Sequence, residues 1–412
     1  MVEVLTFVLA GGQGERLFPL TRDRAKPAVP FGGVYRIIDF TLSNCVNSGL
    51  KQVFLLTQYK SYVLEKHISA GWNIYSAELG EFISLLPPQQ RMSKDWYRGT
   101  ADAVYQNTYV VSEMSPEYVL VLSGDHVYRL DYRKMLSFHK QVKADATIGL
   151  YEVPIAQATR FGVMVTDEDD RIVGFEEKPR RPKAKPGAPD RALVSMGVYL
   201  FSTPALMGSL LVNAENPDST HDFGRDVIPS MIGGYRVFGY RFADEPPRSA
   251  ALHQHAAEPY WRDVGTIDDY YRANMELVAP VPPFNLYDRH WPVRTRPRPD
   301  PPAKTVHSDL AGGRAGLALD SLLADGVIVS GGRVERSILG PRVRIHSYAQ
   351  VEESVLFSDV EVGRHARIRR AIIDKMVRVP DRAEIGVDLE ADRRRFHVTE
   401  EGVVVLARGA SL

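Results

Sequence analysis

Residues 2–33 read VEVLTFVLAGGQGERLFPLTRDRAKPAVPFGG. The run from Val4 to Leu9 is apolar almost throughout and is followed at once by Gly11, Gly12 and Gly14, the pattern of a buried strand that ends in a glycine-rich turn. Backbone N–H groups in such a turn can approach the base, ribose or phosphates of a nucleotide. The segment is not a P-loop, because no Gly-Lys-Ser/Thr follows. It also departs from the dinucleotide pattern G-x-G-x-x-G, because Leu17 stands where the third glycine would be. Arg16, two residues after Gly14, and Lys26, just before Pro27, add cationic groups suited to a polyphosphate. A solvated basic turn is the plainer reading of the same residues.

Working outward, Val53 to Leu56 and Val119 to Leu122 read as further buried strands, and Ile37 to Ser48, closed by Gly49, reads as a helix. Short apolar runs alternating with amphipathic stretches predict an α/β, Rossmann-like domain with a mostly parallel sheet over residues 1–275. In such sheets ligands bind beyond the carboxyl ends of the strands. Residues 180–190, RRPKAKPGAPD, lack periodicity and read as a mobile surface excursion.

Prolines at 280, 282, 283, 292, 297, 299, 301 and 302 make residues 276–310 a linker, since proline forbids regular helix and central strand. Beyond it the period changes. Ile328, Ile345, Val362 and Val379 recur every 17 residues, as do Val334, Val351, Ile368 and Ile385, and again Ile338, Val355 and Ile372. The three series predict a left-handed parallel β-helix over residues 311–412, each series pointing one aliphatic side chain inward from one of three faces. An ordinary β-sandwich with regular turns is the alternative. The open ends of a β-helix need covering, and assembly of subunits is one way to do it.

Composition limits the partners. Fifty-one Lys and Arg balance fifty-one Asp and Glu, so the whole-chain field favours neither nucleic acid nor an anionic membrane. No apolar run is long enough to span a bilayer, and the apolar opening lacks the basic leader of a signal peptide. A single cysteine, Cys45, excludes an intramolecular disulfide and suits a reducing, cytoplasmic setting; on its helix it reads as a packed side chain. His126, His221, His346 and His365 lack metal-ligand spacing. Asp125, after the run VLVLSG, stands where a magnesium-binding carboxylate reaches a cleft, or where a turn is capped. Asp263, in WRDVGT, has the same two readings, as a second metal ligand or as the cap of a helix beginning near Thr266.

The glycine-rich segment, together with RIIDFTLSNCVNSG (36–49), LLPPQQR (85–91), WYRGTADAVYQN (96–107), SGDHVY (123–128), FGVM (161–164), EEKP (176–179), SMGVYLF (195–201), HDFGRDVIP (221–229), PYWRDVGTIDDY (259–270), RHWPVRT (289–295) and PPAK (301–304), resembles the sugar-1-phosphate nucleotidyltransferases, and among them the bacterial ADP-glucose pyrophosphorylases. The resemblance runs through nearly the full chain. It implies a Mg²⁺-assisted attack of glucose 1-phosphate on the α-phosphate of ATP, with ADP-glucose and pyrophosphate as products. Carried over residue by residue, Asp125 and Asp263 would hold the metal, and Arg16 and Lys26 would serve the phosphates. Gly11, Gly12, Gly14, Gln90, Tyr97 and Gly99 would bind the nucleotide. Lys178 would take the phosphate of glucose 1-phosphate, Glu177 its hydroxyls, and Gly162, Ser195, Tyr199, Asp222 and Phe223 would complete the sugar site. Trp261 reads equally as core or contact.

Two residues depart from the family pattern. Asp23 stands where several relatives carry Lys or Arg thought to attract anionic effectors, and Glu15 stands where many have Thr or Ser. Arg24 and Arg36, with Arg364, Arg367, Arg369 and Arg370 of the β-helix, keep an anionic metabolite effector in view. A homotetramer is also implied. Competing readings are a thymidylyl- or uridylyltransferase, a non-catalytic regulatory subunit, and an acyltransferase role for the β-helix. Retention of Arg16, Asp125, Lys178 and Asp263 weighs against the regulatory subunit.

Overall fold

The computed structural model describes residues 2–89, 96–242, 259–309, 311–410 and 412. They form two compact units that do not follow chain order: Met1–Gly12 with Phe40–Trp261, and Gln13–Asp39 with Arg262–Leu412. Residues 13–39 and 262–275 cluster with the β-helix.

In the first unit nine strands form one sheet: β1 (Val4–Leu9), β2 (Gln52–Leu56), β3 (Phe82–Leu86), β4 (Tyr118–Ser123), β5 (Ala146–Pro154), β6 (Gly162–Thr166), β7 (Ile172–Glu177), β8 (Arg191–Ser202) and β9 (Val237–Arg241). The order is β7-β6-β8-β4-β1-β2-β3, with β5 on β8 and β9 on β5. Strands β4, β1, β2 and β3 run parallel, as the alternating sequence predicts. The remainder is mixed: β8 is antiparallel to β4, β5 and β6, and β7 to β6. Direct strand-to-strand connections between β5 and β8 carry no crossover helix, so antiparallel pairing is their natural geometry. Leu5, Phe7, Val119, Val121 and Phe201 lie in the core beneath the helices. The helix expected over 37–48 is observed as Ile37–Asn47, and Cys45 is fully buried within it, its thiol pushed up by burial. The 180–190 segment is pinned rather than loose: the Lys185 ammonium and the Arg191 guanidinium both bind Glu152, holding its carboxyl below the usual range.

In the second unit three stacks of short parallel strands build the β-helix. One runs through Lys304–Val306, Ile328–Ser330, Arg344–Ile345, Glu361–Val362 and Arg378–Val379. The second runs from Leu317–Leu319 to Glu384–Ile385, and the third from Leu322–Leu323 through Ile338–Leu339, Val355–Leu356 and Ala371–Ile373 to Val404–Leu406. Strands at Lys304–Val306 and Ser308–Asp309 replace the last residues expected in the linker, since no proline after Pro302 blocks pairing.

Two details differ from the 17-residue reading. Ile345 pairs with Val329 and not with Ile328, because the first coil is one residue shorter. Ile338, Val355 and Ile372 are buried but absent from the coil interior, which Leu339, Leu356 and Ile373 fill instead. Alternation along a strand puts neighbours on opposite faces, so the third series points outward. That outer face is covered by the rest of its own unit: Gly33 lies against Ile338, the Tyr271 hydroxyl donates to Glu353 O at 2.6 Å, and the Arg370 guanidinium lies 5.6 Å from the Tyr271 ring centroid. An apolar outer face explains why residues 13–39 and the helix Ile267–Glu276 fold with the β-helix.

Candidate active site

In the second unit, Gly14 adopts φ +65°, a conformation that favours glycine, and a Cβ there would stand 3.0 Å from Lys26 Cβ. Its carbonyl accepts the Thr21 hydroxyl at 2.9 Å. The single turn Glu15–Leu17 follows, anchored by buried Leu17 with Arg16 exposed. Lys26 is itself buried, and its ammonium donates to Asp263 Oδ1 at 3.1 Å. Asp263 is not the helix cap, since the Thr266 side chain accepts from Asp269 N at 3.1 Å in that role. The Cα of Gly265 points between charges: a Cβ there would lie 3.0 and 3.1 Å from the two Asp263 oxygens and 3.3 Å from Arg16 Nη2. Arg16, Lys26 and Asp263 are thus brought together.

In the first unit, Gly11 and Gly12 follow the carboxyl end of β1, and Asp125 follows that of neighbouring β4, where Gly124 N donates to Leu9 O at 3.0 Å. His126 Nε2 lies 3.5 Å from Asp125 Oδ1, and its Nδ1 lies 3.1 Å from Met196 O. Trp261 is buried, its ring edge-on to His126 and against Tyr151 and Phe161, so it packs as core.

The sugar-site candidates gather in this unit. Gly162 opens β6 opposite Glu177, which ends β7. Lys178 takes φ +45°, its N–H donates to Phe161 O, and its ammonium lies 2.9 Å from Glu177 Oε1. Ser195 and Tyr199 flank an irregularity in β8, and the Ser195 hydroxyl donates to the Tyr199 oxygen at 3.3 Å. Burial pushes the Tyr199 phenol up to about 12, with the Asp222 and Glu177 carboxylates adding to the effect. The Tyr199 ring packs 5.7 Å from that of Phe223, which begins a π-helical turn at Phe223–Val227, a form frequent at functional sites.

Of the nucleotide candidates, Tyr97 accepts Asn107 Nδ2 at 2.9 Å through its hydroxyl, and burial pushes its phenol up. Gly99 has a structural reason to be glycine, since a Cβ there would lie 2.3 Å from His221 O and 2.5 Å from Thr220 O. Gln90 lies outside the described residues. Thr100, not singled out by sequence, donates through Oγ1 to Asp222 Oδ2 at 2.9 Å. Its only signal was its place next to Gly99.

Arg24 and Arg36 belong to a buried cationic group in the second unit. Arg24 Nη2 donates to both oxygens of Asp374 at 2.7 and 2.8 Å, with 4% and 3% of the two side chains exposed. Its Nη1 is buried without a hydrogen-bond partner among the described residues. Burial pulls the Arg36 guanidinium down to about 10. Lys375, which sequence reading missed, is pulled down to about 7 by burial and by Arg36 and Arg24, against the opposing pull of Asp374. Asp23 is exposed and pairs with Arg22. Arg367 instead pairs with Glu384, and Arg370 donates to Glu401 O.

A nucleotidyl transferase family profile matches residues 5–279, and a profile described as GlmU-like, C-terminal hexapeptide matches residues 301–406. The glucose-1-phosphate adenylyltransferase of Koribacter versatilis is 50% identical, with 100% of this chain and 97% of that protein covered. That of Rhodopirellula baltica is 52% identical over 99% of this chain and 91% of its own length. Glucose-1-phosphate adenylyltransferase 2 of Vibrio cholerae is 50% identical over 98% of each. Among the described residues no helix is long and apolar enough to cross a membrane.

Proposed function

Because the chain belongs to the nucleotidyl transferase family and, at about half identity over its full length, to the glucose-1-phosphate adenylyltransferases, we propose that it transfers the adenylyl group of ATP to α-D-glucose 1-phosphate. The products are ADP-glucose and pyrophosphate, and ADP-glucose serves as glucosyl donor for glycogen or a related α-glucan. The observation that carries the residue assignment is the meeting of Arg16 and Lys26 with Asp263, two cations and a carboxylate drawn from distant stretches of chain.

A phosphate oxygen of glucose 1-phosphate attacks the α-phosphorus of ATP as the bond to pyrophosphate breaks. Both partners are anionic, so catalysis consists of positioning and charge neutralisation. Arg16, exposed beside the glycine-rich turn, meets the phosphates and the departing pyrophosphate. Lys26 holds Asp263 in place and carries positive charge beside it. Gly11, Gly12 and Gly14, with Tyr97 and Gly99, belong to the nucleotide side, as does Gln90.

On the sugar side, Lys178 gives up its contact with Glu177 to take the phosphate of glucose 1-phosphate, which frees Glu177 to accept sugar hydroxyls. Ser195, Tyr199 and Asp222 offer further hydroxyl and carboxylate partners, and Gly162 and Phe223 shape the pocket wall. Asp125 and Asp263 are carboxylates, hard oxygen donors suited to Mg²⁺. That ion, when bound, supplies Lewis-acid neutralisation of phosphate oxygens.

Regulation by an anionic metabolite is part of the same proposal. Support comes from Arg24, whose buried Nη1 has no hydrogen-bond partner among the described residues, and from Arg36 and Lys375 nearby. A homotetramer and a cytoplasmic setting complete it. Pyrophosphate release from each of four nucleoside triphosphates, with Mg²⁺ and glucose 1-phosphate, tests the reading. Turnover confined to ATP is expected, and equal turnover of the thymidine or uridine nucleotide would replace it with the neighbouring activity.

A further inference from the structure

Thr100 opens the helix Thr100–Tyr105, and its hydroxyl joins two segments that sequence order keeps 122 residues apart. Phe223 N donates to Thr100 Oγ1 at 2.9 Å, and Oγ1 stands 2.9 Å from Asp222 Oδ2. A threonine hydroxyl has a single proton. With Phe223 N–H already occupying the oxygen as acceptor, that proton goes to the Asp222 carboxylate. The other carboxylate oxygen, Oδ1, accepts Arg225 N at 3.0 Å from its own turn. Asp222 is therefore fixed from two sides, once by its own helix and once by Thr100.

A second contact runs along the same seam. Gly99 is pressed so closely on the carbonyls of Thr220 and His221 that no side chain fits, and Ala101 N donates to His221 O at 2.8 Å. On the far side, Arg98 N and Arg98 Nη2 both bind the Asp102 carboxylate, and Asn107 holds the Tyr97 hydroxyl. Residues 97–102 are thus braced as one body. The same segment meets residues 220–223 at Gly99, Thr100 and Ala101.

We propose that Thr100 is a positioning residue that couples nucleotide occupancy at Tyr97 and Gly99 to the orientation of the sugar-site carboxylate Asp222, so that ATP and glucose 1-phosphate bind cooperatively through its hydroxyl. The inference rests on the assignment of those three residues made under the proposed function. By linkage, each substrate tightens the other by the same factor, and couplings of this kind are typically about 5- to 150-fold.

The test is calorimetric titration of the full-length protein with glucose 1-phosphate and Mg²⁺, with and without saturating α,β-methylene-ATP, which cannot release pyrophosphate. The wild-type protein binds the sugar phosphate several-fold more tightly with the analogue present. Thr100→Val, close to isosteric, brings that ratio to about one, and Thr100→Ser keeps it because the hydroxyl is retained. A structural role alone would weaken both titrations and leave their ratio unchanged. Should Thr100→Val not fold, Thr100→Ala serves in its place. Wild-type-like coupling in the hydroxyl-free variant, or no coupling in the wild-type protein, overturns the inference. Asp222→Asn separates the two layers: it weakens glucose 1-phosphate binding in both titrations, and if it does not, the assignment of Asp222 to the sugar site fails.

Discussion

The Lys26 ammonium donates to Asp263 Oδ1 at 3.1 Å across 237 residues of sequence, with 8% and 21% of the two side chains exposed. A pair this sheltered fixes the direction of its carboxylate, and removing one member leaves the other uncompensated. Lys26→Met should lower kcat/KM about 10²- to 10³-fold, the range for loss of one preorganised electrostatic contact. Circular dichroism should remain native, because the methionine fills most of the volume. A kcat/KM within twofold of wild type would remove Lys26 from the machinery.

Asp125 follows the carboxyl end of β4, beside the end of β1. Asp125→Asn keeps the shape and removes the charge, so turnover should fall below detection while the melting temperature stays within a few degrees. Direct titration with Mn²⁺, read by electron paramagnetic resonance, should show weaker metal binding. Unaltered metal affinity together with lost activity would assign Asp125 a different role.

Arg24 and Asp374 form an almost fully buried pair. Asp374→Ala leaves Arg24 charged beside Arg36 and Lys375, and breaking such a pair typically costs about 3–5 kcal/mol. Replacing both members, as in Arg24→Met with Asp374→Leu, should recover much of that loss in urea unfolding. A double variant as unstable as the single one would show that the buried charge was not the source of the cost.

Lys375 has a folded pKa of about 7 against an ordinary 10.5. Between those values the unfolded chain binds the proton and the folded chain does not, so stability rises with pH across that window. The full penalty of burying the charge is present below about 7. An anion at Arg24 and Arg36 favours the charged lysine, so binding takes up a proton above that pH. Affinity for inorganic sulfate, whose charge does not change in this range, measured calorimetrically, should weaken as pH rises from about 7, by up to roughly tenfold per unit. Lys375→Arg should flatten the profile, and a profile unchanged by that substitution would place the titrating group elsewhere.

What could be read in the sequence was what local pattern encodes. Val4–Leu9 and Ile37–Asn47 emerged from apolar runs and a closing glycine, and the β-helix from its repeat. The outward turn of Ile338, Val355 and Ile372 did not emerge, because their neighbours Leu339, Leu356 and Ile373 are equally apolar and alternation had no polar member to mark it. The antiparallel side of the sheet was hidden because strand direction depends on connections, and β8 reads as one more apolar run. Among the candidate site residues, Arg16, Lys26 and Asp263 lay in recognisable motifs. Thr100 lay inside the motif WYRGTADAVYQN but was not singled out, because its partner Asp222 is 122 residues away, and Lys375 lay in no motif. Gly99 was legible as a glycine, but its reason, the carbonyl of His221, was not.

The interleaved chain path has a consequence for anyone building hybrids of this protein. A cut at the proline-rich stretch invites an exchange of carboxyl-terminal halves between relatives. It would separate the outer wall of the β-helix from the residues that cover it, Gly33 and Tyr271 among them, and a foreign half would arrive with its own wall shaped for a different cover. A graft that also transplants residues 13–39 and 262–276 moves cover and wall together. It also moves Arg16, Lys26 and Asp263, so a donor chosen for its carboxyl-terminal half would bring part of the proposed catalytic group with it.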